Sequence, residues 1–188
     1  MSFTLSPSYQ IQTRRFLLRI PNESDIPFIF SATRYEGFND GMLWEPPESE
    51  AELIEPLKGT LKAWELGEGY SFTIVQKAVE EQVGRISIRR TDQEKLWDVG
   101  FWTHPAHQGE GVMSEALAAV LALGFEVLGA HKIQACHAIW NKASEKVLKR
   151  NGLTFERFIE QGFQKRGEWV AENLLSIEKQ YWLGLRSE

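Results

Sequence analysis

Between His104 and Phe125 the chain reads HPAHQGEGVMSEALAAVLALGF, and the part of it that could do chemistry is its start. Gln108, Gly109, Glu110, Gly111, Val112 and Met113 stand between a strand-like run and a helical stripe, with Ser114 in the first helical turn. A helix N-terminus exposes unpartnered backbone N–H groups and carries partial positive charge, so an anion can dock there where side chains leave room. Glycine leaves that room. The segment lacks the third glycine of a dinucleotide fingerprint and the Gly-Lys-Ser/Thr ending of a P-loop. A pyrophosphate without a protein-held magnesium ion is the better match. The plain alternative is a tight strand-to-helix turn shaped by two glycines.

A second group of candidates lies downstream in NKASEKVLKRNG and NGLTFERF. Asn141 and Ser144 can cap a helix, or can present an amide and a hydroxyl to a ligand at its start. Glu156 is either an exposed strand carboxylate or a base, its pKa raised if Phe155, Phe158 or a nearby Trp desolvates it. Glu160 lies farther along the same strand. His104 and His107 flank the glycines without a carboxylate at ligand spacing, which makes a poor metal site, and no metal is expected. His137 in KIQACHAIW can face the core or a cleft. Its neighbour Cys136 reads as a buried packing residue rather than an acyl carrier.

These residues need a scaffold, and the chain's periodicity describes one. Gln10 to Ile20 reads as a first strand, closed by Pro21, with Asn22 or Ser24 as a helix cap. Leu53, Ile54, Leu57, Leu61 and Trp64 recur at helical spacing, with Pro56 placed to split or kink that helix. Three strand-like runs from Tyr70 to Thr103 suggest an antiparallel meander. Met113, Ala116, Leu117, Val120, Leu121 and Leu128 form one stripe from Gly111 to Gly129. A strand at Lys132 to Trp140, a helix from Lys142 to Asn151 and strands at Leu153 to Phe163 and Trp169 to Lys179 follow. The order βαα-βββ-α-β-α-ββ describes an α/β (α+β) fold in which helices cover a mixed, mostly antiparallel sheet.

The chain has 188 residues, 43% of them apolar and 25% charged, so residues 1–188 are expected to form one soluble domain. A net charge of −5 speaks against nucleic acid as a partner and suits an amine. One cysteine, no basic-then-apolar leader and no run near the ~18 apolar residues of a membrane span lead us to expect a cytoplasmic protein that does not bind membranes.

Together, Gln108 to Met113, Ser114-Glu115-Ala116 and Asn141-Lys142-Ala143-Ser144 resemble the GNAT superfamily of acetyl-CoA-dependent N-acetyltransferases, and within it the RimJ/RimL-like branch. The helix and strand order is similar to that of the superfamily. The resemblance implies acetyl-CoA as co-substrate and an amine acceptor, with a protein N-terminal α-amine first in line. It implies that the backbone of Phe101, Trp102 and Thr103 runs beside the pantetheine arm, that Gln108 through Met113 hold the pyrophosphate, that Ser114 adds a hydroxyl, and that Asn141 binds the pantetheine amide. Met113 departs from the small residue common at that position and is familiar in the RimJ/RimL-like branch. In this reading Ser144 is the acid, or a hydrogen-bond donor to sulfur, and Glu156 is the base. Trp44, in NDGMLWEPPES, is a wall of the acceptor cleft, and the Gln161 to Trp169 turn is another rim whose Lys165 and Arg166 could repel a cationic acceptor. The alternatives are a small-molecule acetyltransferase acting on an aminoglycoside, a polyamine or an amino acid derivative, and a regulatory module that binds acetyl-CoA without turnover. Aromatics near the C-terminal QYWLG could pair two protomers as a homodimer or finish the sheet of one.

Overall fold

A computed structural model describes residues 4–187. Among these residues eight strands, β1 (Gln10–Gln12), β2 (Phe16–Arg19), β3 (Gly69–Gln76), β4 (Glu81–Arg90), β5 (Leu96–Thr103), β6 (Lys132–Ala138), β7 (Thr154–Lys165) and β8 (Glu168–Glu178), join one sheet in the order β1-β2-β3-β4-β5-β6-β8-β7. β3 (Gly69–Gln76), β4 (Glu81–Arg90) and β5 (Leu96–Thr103) are the expected meander, each antiparallel to the next. β6 (Lys132–Ala138) lies parallel to β5, the one parallel pair in the sheet. β8 (Glu168–Glu178) inserts between β6 and the outermost strand, β7 (Thr154–Lys165).

The expected first strand is a hairpin instead. β1 (Gln10–Gln12) turns at Thr13 into β2 (Phe16–Arg19), which pairs with β3. The Thr13 hydroxyl accepts from the Phe16 amide at 2.9 Å, closing a turn that the β-branched pattern of the segment hides. Asn22 caps a short 3-10 turn reciprocally with Asp25 before α1 (Ile26–Ala32). Pro56 does not kink its helix. It falls in the first turn of α2 (Ile54–Leu66), where its missing N–H costs nothing.

The Gly111 to Gly129 stripe folds as α3 (Val112–Ala122) followed by one π turn over Leu123–Val127. Its buried side chains Met113, Leu117, Val120 and Leu121 join Phe72, Ile86, Ile88, Val99 and Ile133 in the main core. Burying a side chain of this kind contributes about 1.5–3 kcal/mol. α4 (Lys142–Arg150) starts at the expected residue and ends one residue earlier, with Asn151 as its C-cap. After β8 the chain forms an additional helix, α5 (Lys179–Leu185), so the C-terminal aromatics do not extend the sheet. Trp182 is buried there with its ring centroid 5.1 Å from that of Phe125, while Tyr181 is exposed. On the opposite face, Ile26 and Ile29 of α1, Leu57 of α2 and Leu53 in the 3-10 turn just before α2 form a smaller cluster against Trp102.

Candidate active site

β5 and β6 pair only from Leu96 opposite Lys132 to Asp98 opposite Gln134. Beyond that point β5 stays with β4 as far as Thr103, and β6 stays with β8 as far as Ala138. Two parallel strands that part in this way leave a wedge between them. The β6-facing edge of Val99 to Thr103 has no strand partner among the described residues, so its backbone groups can bind an extended ligand as another strand would. The expected pantetheine-binding residues Phe101, Trp102 and Thr103 all lie on this edge.

The glycine loop meets the wedge at the end of β5. Gly109 and Gly111 take φ of +81° and +74°, a left-handed conformation that L side chains resist. Gly111 precedes the first turn of α3 without a side-chain cap, so the helix presents bare amides there. Glu115 lies in that turn and would repel a phosphate, but its charge is engaged. The Arg15 backbone amide donates to Oε1 at 2.8 Å and the guanidinium Nε donates to Oε2 at 2.7 Å. Burial raises the Glu115 pKa, and the hydrogen bonds from Arg15 outweigh it, so the carboxylate ends below its ordinary value. Arg15 Nη1 also donates to the Glu110 carbonyl at 2.9 Å, stapling the loop to the β1–β2 turn. Arg15 had no local sequence signal, because its partners lie about a hundred residues away.

At the wedge's other wall, the Asn141 side-chain Oδ1 accepts from the Ser144 backbone amide at 3.1 Å. Asn141 thus caps α4 and still has its amide group toward Gly41. The Ser144 hydroxyl is half-buried and makes no hydrogen bond among the described residues, and neither does that of Ser114.

The expected desolvation of Glu156 does not prevail. Phe155 and Phe158 are exposed, and Glu156 Oε2 lies 2.6 Å from Lys132 Nζ and accepts from the Ser176 hydroxyl at 2.6 Å. Hydrogen bonds from Lys132 first and Ser176 second lower its pKa. Lys132 is at the closed end of the wedge, where β5 and β6 are still paired. Cys136 is also corrected. It is exposed, on the sheet face opposite Ile133 and Ala135, and its thiol is pushed up to about 12 by the surrounding walls and by Glu172 and Asp98. A thiol so protonated is a poor nucleophile. His137 alternates to the core side and is buried. His104 accepts from the Ala106 amide through Nδ1, so its neutral ring can donate from Nε2 to Ser31 Oγ at 3.1 Å. Burial lowers the pKa of His104, with His107 adding to it, which suits a structural neutral ring. Among the described residues no cluster of three or more His, Cys, Asp or Glu side chains could hold a metal ion, and no helix is long and apolar enough to cross a membrane.

An aromatic wall rises over the α1 and α2 side of the wedge. Phe28 stacks on Trp102 at 5.5 Å, Phe38 meets Trp102 edge-on at 5.3 Å, and Trp44 meets Phe38 edge-on at 6.4 Å between ring centroids. The loop carrying Trp44 is held from the β7–β8 end. Lys165 Nζ donates to the carbonyls of Met42 at 3.1 Å and Trp44 at 2.9 Å and lies 3.2 Å from Glu45 Oε1. Lys165 is therefore buried and its charge is compensated, against the expectation that it repels a cation. Arg166 is shared between Asp40 and Glu45.

Comparison with known proteins agrees with this geometry. The profile of the acetyltransferase (GNAT) domain matches residues 15–154. YoaA of Bacillus subtilis, an uncharacterized N-acetyltransferase, is 26% identical over 176 residues, covering 90% of this chain and 96% of its own. The ribosomal-protein-serine acetyltransferase of Escherichia coli is 26% identical over 115 residues, 61% of this chain and 63% of that enzyme. Among solved structures, RimL, a ribosomal L7/L12 alpha-N-protein acetyltransferase in complex with coenzyme A, superposes with a TM-score of 0.81 at 21% identity, over 90% of this chain and 98% of that one. A wedge between parting parallel strands, closed at its mouth by an uncapped glycine-led helix, thus stands in a chain most of which matches one domain family: the protein belongs to the GNAT acetyltransferase family and is an N-acetyltransferase.

Proposed function

We propose that the protein transfers the acetyl group of acetyl-CoA to a protein N-terminal α-amine by direct attack in a ternary complex. The observation that carries the co-substrate half is the bare α3 N-terminus at the mouth of the β5–β6 wedge. Backbone amides from Gln108 to Met113, with the Ser114 hydroxyl, would take the pyrophosphate, and Arg15 would neutralise the one acid in that turn. The free edge at Phe101, Trp102 and Thr103 would pair with the pantetheine amides, and the Asn141 amide group would meet them from the α4 side. An N–H of that edge near the thioester would stabilise the negative charge that develops on its carbonyl oxygen. The unpartnered Ser144 hydroxyl is free to donate to the departing sulfur.

Two observations support an N-terminal acceptor. RimL and the Escherichia coli enzyme, to which this chain is similar, are described as ribosomal-protein acetyltransferases. The wall of Phe28, Phe38, Trp44 and Trp102 is also larger than a bare amine needs, and it offers apolar surface to the first side chains of a peptide. An α-amine of ordinary pKa about 8 is partly neutral at physiological pH, so positioning supplies much of the rate.

Calorimetry with acetyl-CoA, followed by thiol release on a panel of N-terminal peptides and small amines, tests the proposal. Binding with peptide-dependent release is expected. Release with small amines alone would replace the acceptor with a small molecule, binding without any release would support the regulatory module, and absence of binding would remove the co-substrate assignment.

A further inference from the structure

The attacking amine must lose a proton, and Glu156, held by Lys132 and Ser176 at the closed end of the wedge, is poorly placed and too weak a base to take it. A different carboxylate stands on the same sheet face at the open end. Glu172 on β8 is directly opposite Ala138, four residues of β6 beyond Gln134, where β5 and β6 part. Its side chain is half-buried and makes neither an ion pair nor a hydrogen bond among the described residues. The register of β7 with β8 shifts between Ile159 and Phe163. Within that bulge, a Cβ at Gly162 would come within 2.8 Å of the Glu172 Cδ, so the missing side chain of Gly162 is what makes room for the carboxylate.

The charged and titratable groups around it come from four strands. Asp98 on β5 and Cys136 on β6 share the face, Arg157 on β7 acts on Cys136, and Arg89 on β4 is already paired with Asp98 at 2.7 Å. Burial first, and the Asp98 charge second, raise the Glu172 pKa above its ordinary value. This is the direction a general base needs, because proton transfer is most effective when the base titrates nearer the working pH. A half-buried carboxylate without a cation partner costs stability, and such groups cluster where chemistry requires them.

We infer that Glu172 accepts the proton of the attacking amine. The inference rests on the acetyl-transfer reading above. The nitrogen lone pair forms the N–C bond to the acetyl carbon and the C–S bond breaks. The nitrogen proton passes to the Glu172 carboxylate, and the Ser144 hydroxyl gives a proton to the sulfur. Glu172 then releases its proton to solvent and Ser144 regains one from it, so a neutral amine and a thioester become an amide and a thiol. The Glu172 charge also makes this end of the cleft attractive to an amine that arrives protonated.

The test compares the parent with E172Q, E172D and E156Q by acetyl-CoA calorimetry and by the pH dependence of thiol release. E172Q is expected to lower kcat/KM about a hundredfold. Acetyl-CoA affinity and melting temperature should be retained, because glutamine removes a half-buried charge that has no partner. Rate should rise with pH in the parent as Glu172 loses its proton, and E172Q should lose that limb and follow the ionisation of the amine alone. E172D should recover part of the rate, and E156Q should behave as the parent does. An active parent whose E172Q variant keeps its rate and pH profile, or loses rate only through acetyl-CoA affinity, overturns the inference and leaves acetyl transfer standing. A parent that releases thiol with no amine overturns both.

Discussion

Lys165→Met separates the loop over the acceptor side from the rest of the fold. Methionine keeps most of the aliphatic volume, so packing changes little and the loss is polar. Two carbonyls, those of Met42 and Trp44, lose a donor at 3.1 and 2.9 Å, and Glu45 loses a cation at 3.2 Å. The Met42 carbonyl, left without a donor, costs about 1–3 kcal/mol if it stays buried, while the Trp44 carbonyl keeps only its long bond from the Asn39 amide. The loop has a less costly course. Swinging out hydrates both carbonyls and gives up the Phe38–Trp44 edge contact, worth about 0.5–1.5 kcal/mol. It also gives up the long bond of 3.4 Å from the Asn39 amide to the Trp44 carbonyl. Opening therefore becomes easier by about 2 kcal/mol, roughly 30-fold in the opening equilibrium. Hydrogen exchange followed by mass spectrometry on peptides spanning 37–48 should show that acceleration. The acceptor KM should rise while acetyl-CoA affinity and the melting temperature hold. Unchanged exchange in the loop together with a lowered melting temperature would refute the reasoning, since Lys165 would then be a staple of the core.

Two further outcomes follow from other parts of the site. Gly111→Val places a β-branched residue at φ +74° directly before the first turn of α3, and calorimetry should show acetyl-CoA binding weakened at least tenfold, about 1.4 kcal/mol, with the fold retained. Asp25 is fully buried beneath α1, where burial raises its pKa but the hydrogen bonds from Arg19, Thr73 and the Asn22 amide prevail and lower it. Its stabilising contribution is therefore present above pH 3.8 and is lost as pH falls through the lowered value. Asp25→Asn should cost about 3–5 kcal/mol in urea unfolding at neutral pH and should flatten the acid limb of the stability curve.

The helix and strand order was legible because it rests on local signals. Alternation marked β3 to β6, the stripe from Met113 to Leu121 marked α3, and Asn141 with Gly152 punctuated α4. Even so, a local pattern misled at Gln10 to Ile20, where a turn closed by Thr13 lies within residues of strand type. It was silent at Lys179 to Leu185, a seven-residue helix held by the burial of Trp182 rather than by any cap. Pro56 gave no kink because the helix starts only two residues before it.

The sequence by itself determined the family of chemistry. An anion site at a helix N-terminus needs only consecutive residues, and Gln108 to Ser114 carry it in one run. Only the tertiary structure decided which side chains are engaged and which are left free. Arg15 reaches Glu115 and Glu110 across about a hundred residues, Lys165 holds a loop more than a hundred residues before it, and Glu156 is claimed by Lys132 while Glu172 is left without a cation. A carboxylate's pKa is set by which charges and how much water surround it, and neither is a property of neighbours in the chain. That is why the glycine-led helix start is legible in the sequence and the state of each carboxylate is not.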